Sequence, residues 1–308
     1  MTVRVRVPAS SSNLGAGFDC IGVAVDRWLV ATVTPVAGSA ISIQRSGRLT
    51  AVSVAADEDL LARGFRAAGG RGGMIDATSD IPVGCGLGSS AAAIVAGVLL
   101  ADTALELNLT REQVVEIAAA LEGHPDNVAP AVYGGAVLSV RTPAGLVSAP
   151  LTVAAGIELL LVVPPFPSDT KAARAALPKT LPHAEAVVAA GRAAALVQGL
   201  SSGDGALLGA ALDDVLHVPF RRARIPGYDA VVAAAQKAGA FGATLSGAGS
   251  AILAIASRER SGPVGAAMLA AWRTTGVEAE LIRSAHPVPG ATVNRIPAMS
   301  HPVSSELS

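Results

Sequence analysis

Residues 82–93 read PVGCGLGSSAAA, and no other stretch constrains this chain as tightly. Gly84, Gly86 and Gly88 alternate, and two serines then open an alanine-rich stretch of helical period. Glycine permits positive φ and close backbone approach. A helix start behind it offers unpaired N–H groups and the positive end of the helix dipole. Together they make an anion cradle, for which phosphate is the common guest. The serine hydroxyls can bond phosphate oxygens or a metal. A Walker A loop would end in GK[ST], but Ser89 follows Gly88 and no lysine is near. A Rossmann fingerprint leads through one helix to a strand ending in an acid, whereas here a second helical pattern follows. A tight strand-to-helix turn packed with small residues would explain a bare GxGxG equally well.

The rest of the chain mixes strands and helices. Val3–Val7 alternates valine with arginine at strand spacing, and a Ser/Asn/Gly loop, SSSNLGAGFD, is expected next. IGVAVDRWLVATVTPV and AISIQRS read as strands, DEDLLARGFRAAG as a helix, and MIDATSDIPVG as a strand entering a turn. Thr110 and Gln113 form a capping box for a helix ending near Glu122, and Gly123 stops it. GGAVLSV is a strand. The pattern restarts at IELLLVVP, followed by helices near 184–198, 204–216 and 228–238. Then come a strand, glycine turn and strand (FGATLSGAGSAILAIAS), a helix (VGAAMLAAWRTTG) and a strand (VEAELIRSA). The expected division is residues 1–152, residues 153–295 and a flexible Pro/Ser-rich tail at 296–308.

Composition excludes several classes. Hydrophobic residues are 51% and charged residues 15%, far from the composition of disorder. With 23 basic and 24 acidic residues there is no global field to hold nucleic acid or an anionic membrane. Aromatics at 3% leave little for base stacking. Cys20 and Cys85 cannot make a disulfide framework or a four-thiolate zinc site, and the five histidines form no HExxH. Mean hydropathy is +0.51, but the apolar residues are largely Ala and Val and are interrupted well before membrane length. MTVRVRVPAS lacks the apolar core of a signal peptide. A soluble cytoplasmic protein is expected.

Two more segments carry chemistry. Glu122 falls in the last turn of its helix, where a carboxylate opposes the dipole. A divalent cation shared with Ser90 and phosphate oxygens would compensate it, although a solvated surface glutamate is the commoner case. His124, Asp126 and Asn127 crowd three polar side chains into four residues, which is equally what a capped turn at DNVAP would contain. Ser246–Ser250 reads SGAGS between two strands and serves either a hairpin or a close ligand approach.

In order and spacing, these three elements resemble the three motifs of the GHMP kinases over nearly the whole chain. GCGLGSSAAA carries the superfamily signature. VPASSSNLGAGFDCIGVAV, EGHPDNVAPAVYGG, GATLSGAGS, DTKAARAALP and HVPFRRARIPG look more specifically like homoserine kinases. The resemblance implies an α+β, two-domain fold with a left-handed βαβ crossover in the N-terminal domain and a ferredoxin-like C-terminal domain. It implies ATP-dependent phosphorylation of L-homoserine to O-phosphohomoserine, on the way to threonine. By the family's pattern, Asn13, Asp19, His124, Asn127, Thr170, Arg174, Arg221 and Gly247 would surround homoserine. Pro82, Val83, Gly84, Cys85, Gly86, Leu87, Gly88, Ser89, Ser90, Ala91 and Ala92 would hold ATP. Ser90 and Glu122 would serve Mg²⁺, and Asn127, Glu122, Ser90 and Asp126 would lie at the reacting atoms. The resemblance leaves a homodimer open and gives nucleic acid and membrane no part.

The substrate's chemistry agrees with those residue types. Homoserine has a carboxylate for arginine forks at Arg174 and Arg221, an ammonium for Asp19, and a hydroxyl for Asn13 or Asn127 to orient. Arg221 is chosen over Arg222 and Arg224 by its distance from Pro226. Cys20 stands where the family usually has serine. Residues 51–73 are short, and the asparagine expected near Asp59 is missing, so adenine contacts do not transfer. Another GHMP kinase, for mevalonate or a sugar, would have no use for Asp19. A ligand-binding relative without catalysis should have lost Ser90 or Glu122 first.

Overall fold

The computed structural model describes residues 2–286 and 288–296. The first sheet is built from β1 (Thr2–Asn13), β2 (Gly17–Pro35), β3 (Ile41–Gly47), β4 (Gly73–Ser79), β5 (Ala136–Thr142) and β6 (Gly145–Leu151). β3 and β4 run parallel, joined through α1 (Leu60–Ala67), which Asp59 caps by accepting from the Leu61 and Ala62 amides. The other pairings of this sheet are antiparallel. α2 (Ser89–Leu105) and α3 (Arg111–Glu122) cover one face, with α4 (Val128–Tyr133) behind them. The Thr110–Gln113 capping box is present, and Gly123 ends α3 in the left-handed region. α2 is buried almost all round because Ala and Gly let α1 and β1 approach it closely.

The second sheet comprises β7 (Ile157–Val163), β8 (Gly242–Leu245), β9 (Ile252–Ser257) and β10 (Glu280–Ser284), in the order β10-β7-β9-β8. That order, antiparallel throughout, is the ferredoxin-like arrangement. Between β7 and β8 lie α5 (Thr170–Ala175), α6 (His183–Ser202), α7 (Gly205–Leu212), α8 (Val218–Arg221) and α9 (Tyr228–Lys237). α10 (Arg258–Arg273) joins β9 to β10. β7 is buried on both faces, as its unbroken apolar run requires. Leu160 and Val162 pack with α9 and α10, while Leu159 and Leu161 join the main core with α6 and α7.

Three features depart from the sequence reading. The serines of SSSN are not in a loop: Ser10, Ser11 and Ser12 continue β1 and are at most 1% exposed. Their hydroxyls find buried partners, which removes the cost of burying them. The helix expected over 204–216 stops at Leu212, because the Asp214 carboxylate then captures the Leu216, His217 and Val218 amides. β11 (Thr292–Ile296) returns to the first sheet and pairs with β1 from Thr2 to Arg6. Residues 292–296 therefore add to the sheet of residues 2–151. The tail expected at 296–308 lies, beyond Ile296, outside the described residues.

Candidate active site

The glycine loop is fixed by the turn between β8 and β9. Ser246 Oγ donates to Gly86 O at 2.5 Å, and the Ala251 amide donates to Cys85 O at 3.0 Å. A Cβ on Gly86 would lie 2.1 Å from Ser246 O, so only glycine fits. Gly88 caps α2 at φ 62 with no side-chain bond to the helix amides. The first free amides of α2 therefore face an open cradle. Among the loop residues assigned to ATP, Ala92 is a correction. Its amide donates to Gly88 O at 2.9 Å and its side chain is wholly buried, so it has nothing left for a ligand. Leu87 and Ala91 also send their side chains into the core, leaving only backbone for an anion. Cys85 is buried, and Pro82 lines a separate hollow with Arg48 and Glu278.

A cavity of about 850 Å³ opens from this loop. Val83, Gly84, Ser89, Ser90 and Ala93 line it, together with the apolar Ile43, Leu49, Val52, Val54 and Leu60. The Arg45–Asp59 ion pair lies in its wall at 2.5 Å. Apolar side chains and free helix amides around one cavity suit a base and its phosphates. Thr170 lines this cavity, beside the serines.

At the mouth of α2, Ser90 Oγ donates to Glu122 Oε1 at 2.5 Å. Burial raises the Glu122 carboxyl above its ordinary range, and Ser90 and His124 only partly offset this. A divalent cation fits such a pair: one hydroxyl, one carboxylate short of positive charge, and room for phosphate oxygens. Among the described residues no group of three or more His, Cys, Asp or Glu is arranged to hold a metal alone.

Beside Glu122, His124 Nδ1 donates to Asp126 Oδ1 at 2.6 Å. Burial depresses the His124 imidazole, but Asp126, Glu122 and Asp19 outweigh it and leave its pKa raised. Asn127 is engaged on both sides. It accepts from Ser10 Oγ at 2.9 Å and donates to Ser12 Oγ at 3.0 Å, with one amide proton remaining.

Across from this cluster lies a charged pocket. Asp19 and Arg174 form a two-bond fork at 2.9 and 2.8 Å. Desolvation pushes the Asp19 carboxyl up, yet Arg174 holds it below the usual range. Asn13 donates to Gly247 O at 3.0 Å and accepts from the Asp19 amide at 3.0 Å, fixing both. Arg221 is 2% exposed, whereas Arg222 and Arg224 face solvent. Its hydrogen-bond partners are neutral: Ala173 O, Gly247 O and His217 Nδ1, at 3.3–3.4 Å. Burial lowers its pKa, and Arg174 adds to that. Among the described residues Arg221 has no carboxylate partner, and a buried cation so placed is an anion site in waiting.

Sequence reasoning missed the residues that hold this pocket in shape. Phe18 stacks on the His217 ring at 4.9 Å and lies under Arg221 at 5.2 Å. His217 Nε2 donates to Gly15 O at 3.2 Å, leaving Nδ1 to accept from Arg221. Burial depresses its pKa to about 4, so it stays neutral. The run SSSN and the histidine of HVPFRR were the available signals.

A glycine cradle, a serine–glutamate pair and a split α+β architecture define a small-molecule kinase of the GHMP type. The model described as "GHMP kinases N terminal domain" matches residues 52–135, and "GHMP kinases C terminal" matches 193–274. A homoserine kinase of Trichormus variabilis is 39% identical over 298 residues, spanning 94% of this chain and 98% of that protein. One from Gloeobacter violaceus is 42% identical over 87% of this chain and 92% of that protein. The crystal structure of homoserine kinase from Cytophaga hutchinsonii superposes with TM-score 0.85 at 31% identity, covering 95% of this chain and 97% of that one. An L. major mevalonate kinase shares the fold at TM-score 0.64 and 19% identity. The chain belongs to the homoserine kinase family of the GHMP kinases. It is therefore a kinase with ATP as co-substrate. Among the described residues no helix is long and apolar enough to cross a membrane.

Proposed function

We propose that this chain transfers the γ-phosphoryl group of ATP to the side-chain hydroxyl of L-homoserine. The observation that carries the reading is Arg221, a buried cation lacking an anion, facing the Asp19–Arg174 fork. An amino-acid zwitterion satisfies all three. Its ammonium replaces one arginine on Asp19, and its carboxylate takes Arg174 and Arg221. The relatives named homoserine kinase support the same choice. Mevalonate and sugars have a hydroxyl but no ammonium for Asp19.

In this reading the free amides of Gly88 through Ala91 bind the phosphates. Ser90 and Glu122 hold Mg²⁺, which when bound neutralises charge developing on the phosphate oxygens. The hydroxyl oxygen bonds to the γ-phosphorus as the bond to ADP breaks, and the hydroxyl proton leaves. Such a transfer is loose, so positioning and charge stabilisation do most of the catalysis. Asn127, with its remaining amide proton beside Ser10 and Ser12, orients the hydroxyl. His124 and Asp126 set the local charge. Thr170 lines the nucleotide cavity, four residues before Arg174. Residues 1–152, the ATP-binding domain, and residues 153–295, the C-terminal domain, both contribute to the site, as a monomer or a homodimer.

The test is ADP release measured with homoserine, mevalonate and galactose in turn. Homoserine should turn over at least about a hundredfold better in kcat/KM, worth ~2.7 kcal/mol of transition-state binding. Equal turnover of mevalonate would overturn the assignment.

A further inference from the structure

We infer that Lys171 binds the terminal phosphates of the nucleotide; this rests on the kinase reading above. The chain contains only three lysines among its 23 basic residues, and one of them lines the cavity that opens from the glycine loop. Lys171 shares that wall with Gly84, Ser89 and Ser90.

The placement is built. The segment entering α5 is bonded to the glycine loop: the Ser168 amide donates to Gly84 O at 2.8 Å. Ser168 Oγ donates to Ala248 O at 3.2 Å, which ties the segment to the β8–β9 turn as well. Asp169 then caps α5 by accepting from the Ala172 amide at 3.0 Å. Lys171 thus lies three residues from a backbone bond to the loop. Its long stem is ample for that span.

Charge makes the same point. A triphosphate brings several negative charges to an end of the cavity where Glu122 already adds one. The cradle supplies amide dipoles there but no full positive charge. Of the other cations in the cavity wall, Arg45 is paired with Asp59. Arg63 stands one turn along α1 from Asp59. Lys171 has no carboxylate partner within ion-pair distance among the described residues and is exposed. An ammonium with three donors on a mobile stem suits phosphate oxygens of changing geometry. Three residues further along α5, Arg174 grips Asp19. One short helix therefore reaches both substrates.

The experiment is calorimetric titration of wild type, Lys171→Ala and Lys171→Arg with ADP, AMP and adenosine. Lys171→Ala should weaken ADP at least about tenfold, AMP less, and adenosine by less than about twofold. Lys171→Arg should recover ADP binding to within about threefold of wild type. An unchanged ADP affinity in Lys171→Ala overturns the inference. So does an equal loss for adenosine and ADP, because that marks a change in the shape of α5. Wild type that binds ADP but phosphorylates no homoserine sinks the substrate reading alone and leaves the Lys171 comparison intact.

Discussion

Desolvation raises the Glu122 carboxyl, and the sign of that shift has a measurable consequence. The folded chain holds the proton more tightly than the unfolded one, so ionised Glu122 costs stability above its unfolded pKa. Glu122→Gln should therefore stabilise the ligand-free protein at about pH 8 relative to wild type, with the difference vanishing near pH 4. The same variant should lose nearly all turnover and should no longer be stabilised by Mg²⁺. Denaturant midpoints across pH, with and without Mg²⁺, check both halves. His124 has linkage of the same sign, though here it is the charged form that the fold favours. Its pKa is raised, so its contribution is complete below its ordinary value of 6.5 and fades as pH climbs through the folded value. His124→Asn should cost more stability at about pH 6 than at about pH 9. Asp126, at 2% exposure, is the remaining acid of the cluster. A general base contributes ~10²–10⁴-fold, but a loose transfer releases its proton late. Asp126→Asn should therefore lose less single-turnover activity than Glu122→Gln. A loss as deep, with the acidic limb of the pH profile gone, would make Asp126 the base.

At the scale of elements, the glycine loop and the long helices were legible because their signals are local. Gly88 shows why the motif reads so clearly. Its φ is 62, and a Cβ there would lie 2.2 Å from Ser10 Oγ and 2.9 Å from Asn127 Oδ1. Gly88→Ala should cost ~1–3 kcal/mol through the strained backbone and the displaced Ser10–Asn127 bond. Urea denaturation would measure that loss, and ADP affinity should fall with it. The elements that escaped the sequence reading are those whose reasons lie elsewhere in the chain. α5 and α8 are six and four residues long, too short for a helical period to emerge. They exist because Asp169 and Asp214 cap or hold them and because Arg174 and Arg221 find distant partners. The serine stretch of β1 looks like a loop by composition. It becomes a buried strand because Asn127 and Ser246 arrive from 117 and 235 residues away. β11 is exposed along its whole length, so no alternation marks it. The candidate site residues came from the family resemblance, not from local pattern. The unpaired state of Arg221 and the neutral His217 beneath it were not, since both follow from burial.

Across the whole molecule, the substrate pocket belongs to neither sheet alone. Asn13 and Asp19 come from the first sheet, Arg174 and Arg221 from the helices between β7 and β8, and Gly247 from the β8–β9 turn. Without substrate, Arg174 occupies Asp19 and Arg221 has only neutral partners, so the protein carries an uncompensated buried charge. Removing that charge while keeping its volume should not weaken the ligand-free fold, because replacing a buried ion by an apolar side chain is often neutral or stabilising. Arg221→Met should accordingly melt no lower than wild type. Its homoserine KM should rise by at least about 30-fold, since losing one buried charge-assisted pair costs ~2–5 kcal/mol. The ATP KM should stay within about twofold, because Arg221 does not line the cavity that opens from the glycine loop. Arg174 is about half exposed and its pair with Asp19 is worth ~0–1 kcal/mol to stability. Arg174→Met should raise the homoserine KM less than Arg221→Met does and leave the melting temperature nearly unchanged. Saturating homoserine should raise the melting temperature of wild type but not of Arg221→Met. If Arg222→Met, a change at the exposed neighbour, produced the KM defect while Arg221→Met did not, the carboxylate would bind outside the pocket described here. The buried cation would then be a structural cost with no ligand to relieve it.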